Sequence, residues 1–319
     1  MQLVSTIRND WTKEELESIY YLPLLQLISE AMEVHKNFHK VGEVQASSLV
    51  SIKTGGCSED CAYCPQSAKY NTGLKPEKLM EVEDVVASAR KAKENGSNRF
   101  CMGASWRELR NNKDFPKVLN MVRQVSALGM EVCCSLGMLD VPQARALKEA
   151  GLTVYNHNLD TSEDYYPAII STRTYQDRLR TLKNVRDAGL SVCTGGILGM
   201  GESEEDRIKM IKVMANLPKH PESVTINILM PIQGTPLEDV PQVSVWEVIR
   251  AAATVRISMP ESKIRLSAGR NQLSLSEQAL CFLAGVNAVF LGEKLLTAGN
   301  VTREKDEEMF SLLGISLSK

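Results

Sequence analysis

Between residues 48 and 291 short apolar runs alternate with stretches of helical period, and that alternation leaves the chain very few architectures. Eight of the runs read as strands, at 48–53, 99–104, 131–136, 154–160, 191–197, 224–229, 264–268 and 288–291. Helical stretches separate most of them, as at 82–95, 115–128, 142–150, 175–188 and 204–216. Gly96, Gly129, Gly151 and Gly189 stand where a helix ends just before the next strand, the place for a left-handed C-cap. Eight βα units in about 250 residues predict an α/β fold, a (βα)8 TIM-type barrel. A doubly wound sheet is the competing arrangement. The number of units, and the lack of a dinucleotide-type Gly-rich turn after the first strand, speak against it. Ahead of the barrel, Thr12-Lys-Glu-Glu15 is a capping-box pattern, and 24–38 is a second helical stretch. No linker interrupts the chain, so residues 1–319 read as one domain: N-terminal helices over about 12–40, a barrel over about 47–295 and an extension over about 296–319.

Composition narrows the function classes. A net charge of −2 predicts no nucleic-acid partner and no anionic-membrane attraction. No apolar run is long enough to span a bilayer, and Met1 to Lys13 lacks the apolar core of a signal peptide, so the expected location is cytoplasmic. There, eight cysteines argue for metal binding or catalysis rather than a disulfide framework.

The cysteines are not spread evenly. Cys57-Ser-Glu-Asp-Cys61-Ala-Tyr-Cys64 is a CxxxCxxC run in the loop directly after the first strand, on the face where barrels carry their chemistry. Three thiolates so close in sequence can wrap one corner of an iron–sulfur cube and leave the fourth iron open to a small molecule. Gly55 and Gly56 allow a tight turn into the run, and Pro65 stiffens the exit. A structural zinc knuckle with a fourth ligand elsewhere is the plainer alternative, although zinc sites usually build on CxxC pairs and no second pair exists.

Cys101, Cys133, Cys193 and Arg265 lie on four different strands, each able to point into the barrel. Together they could hold a second cluster, with Arg265 as an unusual ligand because guanidinium normally has no lone pair to give. Any one of the cysteines could instead be an ordinary buried apolar residue. Cys134 has the opposite parity to Cys133 and reads as core, as does Cys281 in a helical stretch.

On the fourth strand Asn156, Asn158 and Asp160 are spaced by two and share a face, where ligands or a closed polar network would have to satisfy them. His157 has the other parity and reads as structural. Asn227 is a lone amide in an apolar run, able to donate and accept toward a ligand or to sit as a satisfied core residue. Arg178 stands near a helix start and would suit a carboxylate, or simply solvent.

The CxxxCxxC run with Tyr63 before its last cysteine resembles the radical S-adenosylmethionine superfamily. Ser51-Ile-Lys-Thr-Gly-Gly-Cys57, Arg99-Phe-Cys101-Met-Gly-Ala, Tyr155-Asn-His-Asn-Leu-Asp160 and Arg265-Leu-Ser-Ala-Gly-Arg270 are similar to the biotin synthase family within it, over about residues 20–315. The resemblance implies a (βα)8 barrel and conversion of dethiobiotin to biotin by a sulfurtransferase. A 5′-deoxyadenosyl radical would take hydrogens from dethiobiotin, and a cluster would donate the sulfur. It implies a 4Fe–4S cluster on Cys57, Cys61 and Cys64, and a 2Fe–2S cluster on Cys101, Cys133, Cys193 and Arg265. S-adenosylmethionine contacts are implied at Tyr63, Gly103, Ala104, Asn158, Asp160 and Arg178, and dethiobiotin contacts at Asn156 and Asn227. Gly195-Gly-Ile-Leu-Gly-Met-Gly201-Glu202 resembles the superfamily's adenine-side motif. No side chain is implied as a catalytic acid or base. A reducing protein such as flavodoxin or ferredoxin and a homodimer follow from the family alone. Relatives on the same scaffold, such as mutases and maturases, generally lack the interior Cys/Cys/Cys/Arg set.

Overall fold

The computed structural model describes residues 7–318, so the first six residues of the N-terminal reading lie outside the described residues. Two helices lead the chain, α1 (Lys13–Tyr20) and α2 (Leu24–Phe38). Then follow β1 (Glu43–Lys53), α3 (Val82–Glu94), β2 (Arg99–Ala104), α4 (Asp114–Ala127), β3 (Glu131–Ser135), α5 (Val141–Glu149) and β4 (Val154–Asn156). The second half runs α6 (Tyr166–Ile169), α7 (Tyr175–Asp187), β5 (Ser191–Leu198), α8 (Glu204–Ala215), β6 (Ser223–Ile228), α9 (Val245–Ser258), β7 (Lys263–Leu266), α10 (Leu275–Leu283) and β8 (Ala288–Phe290). The chain closes with α11 (Arg303–Leu313) and β9 (Ser316–Leu317).

The strands pair in parallel from β2 through β8. β1 then bonds both β8, with Gln45 opposite Ala288, and β2, with Ser47 opposite Arg99. The sheet therefore closes on itself as the (βα)8 barrel that the sequence rhythm predicts, and no edge is left within the ring. Each helix lays an apolar stripe on the sheet; in α4 the buried side chains are Val118, Met121, Val122 and Val125, spaced three or four apart. All four expected cap glycines have positive φ, and the Thr12 to Glu15 capping box is present.

Boundaries move in three places. β1 starts at Glu43 because it must reach β8 and β9 as well as β2. β4 stops at Asn156, where its continuous ladder with β5 ends; Asp160 returns to β5 only as an isolated bridge to Gly196, so regular strand alternation does not extend to Asp160. β9, two residues beside Glu43 and Val44, has no local signal in sequence.

The N-terminal pair packs on α9. Leu27, Ala31 and Val34 of α2 are buried, and Arg250 donates to the carbonyls of Tyr20 and Leu22 at 2.7 and 2.8 Å. A fully buried Leu27 contributes about 2 kcal/mol by itself. Barrel interiors usually fill with Val, Ile and Leu. Here Cys101, Cys133 and Cys193 join Val154, Phe290 and Leu295 in a cluster of their own inside the ring, apart from the main core.

Candidate active site

A cavity of about 340 Å³ opens at the C-terminal ends of the strands and runs down into the ring. Both cysteine sets line it, as do Arg265, Tyr63, Gly103, Ala104, Asn156, Asn158, Asp160, Arg178 and Asn227. Every side chain singled out from the sequence as a site residue thus converges on one space.

The CxxxCxxC loop forms its upper wall. Gly55 and Gly56 have φ of 70° and 67°, and a Cβ on either would come within 3.3 Å of Pro76, so the turn before Cys57 requires glycine. The loop then bonds to itself: the Cys57 N–H donates to the Gln66 carbonyl at 2.9 Å and the Cys64 N–H to the Cys61 carbonyl at 2.9 Å. Burial pushes the Cys61 thiol up to about 11 and the Cys64 thiol to about 12. They remain thiols at neutral pH until a metal displaces the protons. Glu59 and Asp60 lock this loop to 171–173. Thr172 Oγ1 donates to Glu59 at 2.5 Å, and the amides of Ser171 and Thr172 donate to Asp60 at 3.0 and 3.1 Å.

The second set lies deeper. Cys101 and Cys133 are direct partners across β2 and β3, and Cys193 is opposite Asn156. A hydrogen bond from Cys133, together with Arg265 and Arg99, holds the Cys101 thiol below its usual range; burial pushes Cys193 up. Arg265 is 1% exposed, donates to Ser47 Oγ at 3.0 Å and Gln45 at 3.1 Å, and approaches Cys193 Sγ at 4.0 Å. Its Nε has no partner, and among the described residues no carboxylate pairs with it. A buried guanidinium left partly unsatisfied beside three thiols fits a missing group better than a packed core. Below it, Arg99 pairs with Glu131 at 2.7 Å and donates to Ser223 at 2.9 Å, closing the floor. Among the described residues no three His, Cys, Asp or Glu side chains converge on a single-ion site. A cluster shares its protein ligands among several irons and so spreads them further apart than a single ion does, and both sets suit clusters.

Asp160 has φ 70° and lines the cavity, and both side-chain donors, Tyr63 Oη at 2.9 Å and Arg178, fall on its Oδ2. Arg178, on α7, also donates to Tyr166 Oη at 2.9 Å, so it is buried and not the solvent-facing arginine that helix position alone suggests. Asn158 and Asp160 reach the cavity from the loop after β4 rather than from the strand. Asn158 accepts from Thr225 Oγ1 at 2.9 Å; Asn156 Oδ1 has no partner. Asn227 donates to the Gly196 carbonyl at 3.0 Å and accepts from the Ala268 N–H at 3.3 Å, so it ties strands together as well as lining the cavity.

The fold adds to the sequence reading of the remaining residues. His157 lines the cavity with Nε2 unpartnered, because the strand ends before parity can turn it outward. Gly195 and Gly196 lie within β5 and serve packing: a Cβ would meet Thr225 O at 1.9 Å or Met210 Sδ at 2.2 Å. Glu202 accepts from the amides of Gly199 and Met200 and pairs with Arg207, which makes it the lock of that turn. Cys134 and Cys281 are in the main core, as their positions predict. Sequence reasoning passed over Arg173 and the wall at Leu295, Leu296, Thr297 and Ala298. Nothing local in the sequence marks Arg173 as facing inward; it stands just before the Thr174 cap of α7.

Comparison with known proteins agrees with this geometry. Residues 51–214 match the radical SAM superfamily and 225–316 the Biotin and Thiamin Synthesis associated domain. A biotin synthase of Cytophaga hutchinsonii is 59% identical over 98% of this chain and 93% of its own. The mitochondrial biotin synthase of Arabidopsis thaliana is 56% identical over 97% of this chain and 82% of its own. Methylornithine synthase shares the fold with a TM-score of 0.81 at 18% identity, over 97% of this chain and 94% of that one. The FeFe-hydrogenase maturase HydG of Carboxydothermus hydrogenoformans does so at 0.83 and 15%, over 97% of this chain and 76% of that one.

Proposed function

Because the chain belongs to the biotin synthase family of radical S-adenosylmethionine enzymes, and is a sulfurtransferase converting dethiobiotin to biotin, we propose that its two cysteine sets divide the reaction between the mouth and floor of one cavity. Cys57, Cys61 and Cys64 would hold the 4Fe–4S cluster, and Cys101, Cys133, Cys193 and Arg265 a 2Fe–2S cluster. When bound, the first supplies the electron that splits S-adenosylmethionine into methionine and a 5′-deoxyadenosyl radical, and the second supplies the sulfur.

The chain's own residues bind, orient and exclude water. Asp160, with Oδ1 uncommitted, would accept the ribose hydroxyls beside Asn158. Arg178 carries a guanidinium fork for a carboxylate. Tyr63, Gly103 and Ala104 would contact the rest of the S-adenosylmethionine; a Cβ on Gly103 would come 2.6 Å from Leu296, so that wall stays thin. Asn156, whose Oδ1 is unpartnered, and Asn227 would face the ureido ring of dethiobiotin, between the two cysteine sets. No side-chain acid or base is called for, since the bonds broken would be the sulfonium C–S bond, the C–H bonds of dethiobiotin and the Fe–S bonds of the sulfur donor, while C–S bonds to the product form. The supporting observation is that both cysteine sets and all these polar groups line a single cavity.

On the family alone the proposal extends to a reducing flavodoxin or ferredoxin, a homodimer, a single-domain chain and a cytoplasmic location. No helix among the described residues is long and apolar enough to cross a membrane. The test is an anaerobic assay of the reconstituted protein with S-adenosylmethionine, a reductant and dethiobiotin, read by mass spectrometry. Biotin with 5′-deoxyadenosine is expected. 5′-Deoxyadenosine without biotin, with both clusters present, would reject the substrate.

A further inference from the structure

The loop carrying the first cysteine set also carries a buried acid, and a cation paired with that acid meets the set. Glu59 is 2% exposed, stands 3.0 Å from Nη1 of Arg107 and 3.5 Å from Nε of Arg173, and takes the hydrogen bond of Thr172. Arg173 follows the two residues that grip Asp60, so its backbone is stapled to the cysteine loop. Its side chain is 7% exposed and lines the cavity, and its Nη2 donates to Cys61 Sγ at 3.8 Å. The neighbouring charges do not cancel it. Arg178 is paired with Asp160, while Glu59 is shared between Arg107 and Arg173 and Asp60 is turned to the amides of Ser171 and Thr172, so Arg173 is the cation that meets Cys61 directly.

We infer that Arg173 is a positioning residue for electron uptake: through Cys61 it favours the reduced state of the 4Fe–4S cluster proposed on Cys57, Cys61 and Cys64, a reading on which this inference rests. Reduction adds one negative charge at the triad. A cation held in a dry wall lowers the cost of that charge, and an N–H donor to a ligand sulfur binds more strongly as the sulfur gains electron density. Glu59 is the counter-charge that keeps the guanidinium in this wall, 3.5 Å from Nε, while Nη2 meets Cys61 Sγ.

The experiment is an EPR-monitored redox titration of the anaerobically reconstituted full chain, following the 4Fe–4S signal, with wild type, Arg173→Met and Arg173→Lys at matched iron and sulfide content and Cys61→Ala as the control that should lose that signal. In Arg173→Met the ratio of reduced to oxidised cluster at a fixed poise is expected to fall about tenfold, or about 59 mV for a one-electron couple. Arg173→Lys returns the charge without the fork and should recover part of the fall, and it carries the comparison where the methionine variant fails to hold its cluster. The affinity for S-adenosylmethionine should stay within about twofold of wild type. An unchanged ratio, with a signal that Cys61→Ala abolishes, overturns the role of Arg173 and leaves the triad reading standing. A 4Fe–4S signal that survives Cys61→Ala overturns both. Weakened S-adenosylmethionine binding at an unchanged ratio would make Arg173 a ligand contact and sink the inference.

Discussion

Arg178 pairs with Asp160, and Asp160 is the one non-glycine residue with positive φ among the described residues, at 70°. Both side chains are almost fully buried, so this ion pair sits in a low-dielectric wall and is completed by Tyr63 and Tyr166. Asn shares Asp's tolerance of the left-handed region, which lets charge be removed without disturbing the backbone. Asp160→Asn is expected to cost about 3 kcal/mol, because it strands a buried guanidinium, and to weaken S-adenosylmethionine binding tenfold or more. Urea unfolding and equilibrium dialysis measure the two effects. Unaltered dialysis would remove Asp160 from the ribose site.

The barrel was legible because each strand is an apolar run bounded by helices and capped turns. The site was legible for the opposite reason: a thiol, amide or guanidinium inside such a run has to be satisfied by something. What escaped had causes outside the local pattern. His157 was read by strand parity, but β4 ends one residue before it. β9 exists only through Glu43 and Val44, at the far end of the chain. Arg173 looks like any arginine at a helix start until the fold brings Glu59 and Cys61 against it.

The neighbouring cysteines of β3 allow an internal comparison. Cys134 packs in the main core while Cys133 joins the interior set with Cys193. Cys193→Ala should still form 5′-deoxyadenosine but no biotin, and Mössbauer spectra should lose the two-iron component. Cys134→Ala should keep both components and lose only about 1 kcal/mol of stability. Biotin formation by Cys193→Ala would exclude the interior cluster as sulfur donor.

Acid should loosen the seat of the N-terminal helices. His39 Nε2 lies 2.7 Å from Arg256 Nη1 and 2.9 Å from the Pro260 carbonyl, with Lys263 and His35 close by. Burial, then the Arg256 charge, lowers the His39 pKa to about 3, whereas an unfolded histidine titrates near about 6.5. Between those values the unfolded chain binds the extra proton, so stability is full above the window and is lost as pH falls through it. His35, lowered to about 4, adds in the same direction. His39→Gln keeps an acceptor for Arg256 and cannot titrate, so thermal melts of the variant should depend less steeply on pH than wild type. Parallel dependence would clear His39 of the effect.

Arg270 ties the outer wall of the cavity to the rest of the fold. It is completely buried and grips Asp306 of α11 with both nitrogens, at 2.5 and 2.9 Å, while donating to the Phe290 carbonyl at the end of β8 at 3.0 Å. The segment between those anchors, 291–302, supplies Leu295, Leu296, Thr297 and Ala298 to the cavity and is pinned once more by Asn300 on Phe290 and Gly292. None of these residues carries chemistry, so the segment's contribution is to keep water out and hold substrate in place. Asp306→Asn leaves a buried cation without its counter-charge, and should cost about 3–5 kcal/mol. Loosening that wall raises KM for dethiobiotin more than it lowers kcat, because binding to the closed wall is lost in ground and transition states alike. Limited proteolysis should cut first within 291–302 in the variant. Leu312→Ala, at a side chain 68% exposed on the same helix, serves as the comparison and should change neither readout. A variant with the proteolysis pattern and KM of wild type would mean that the wall is held by its own turn and not by the ion pair.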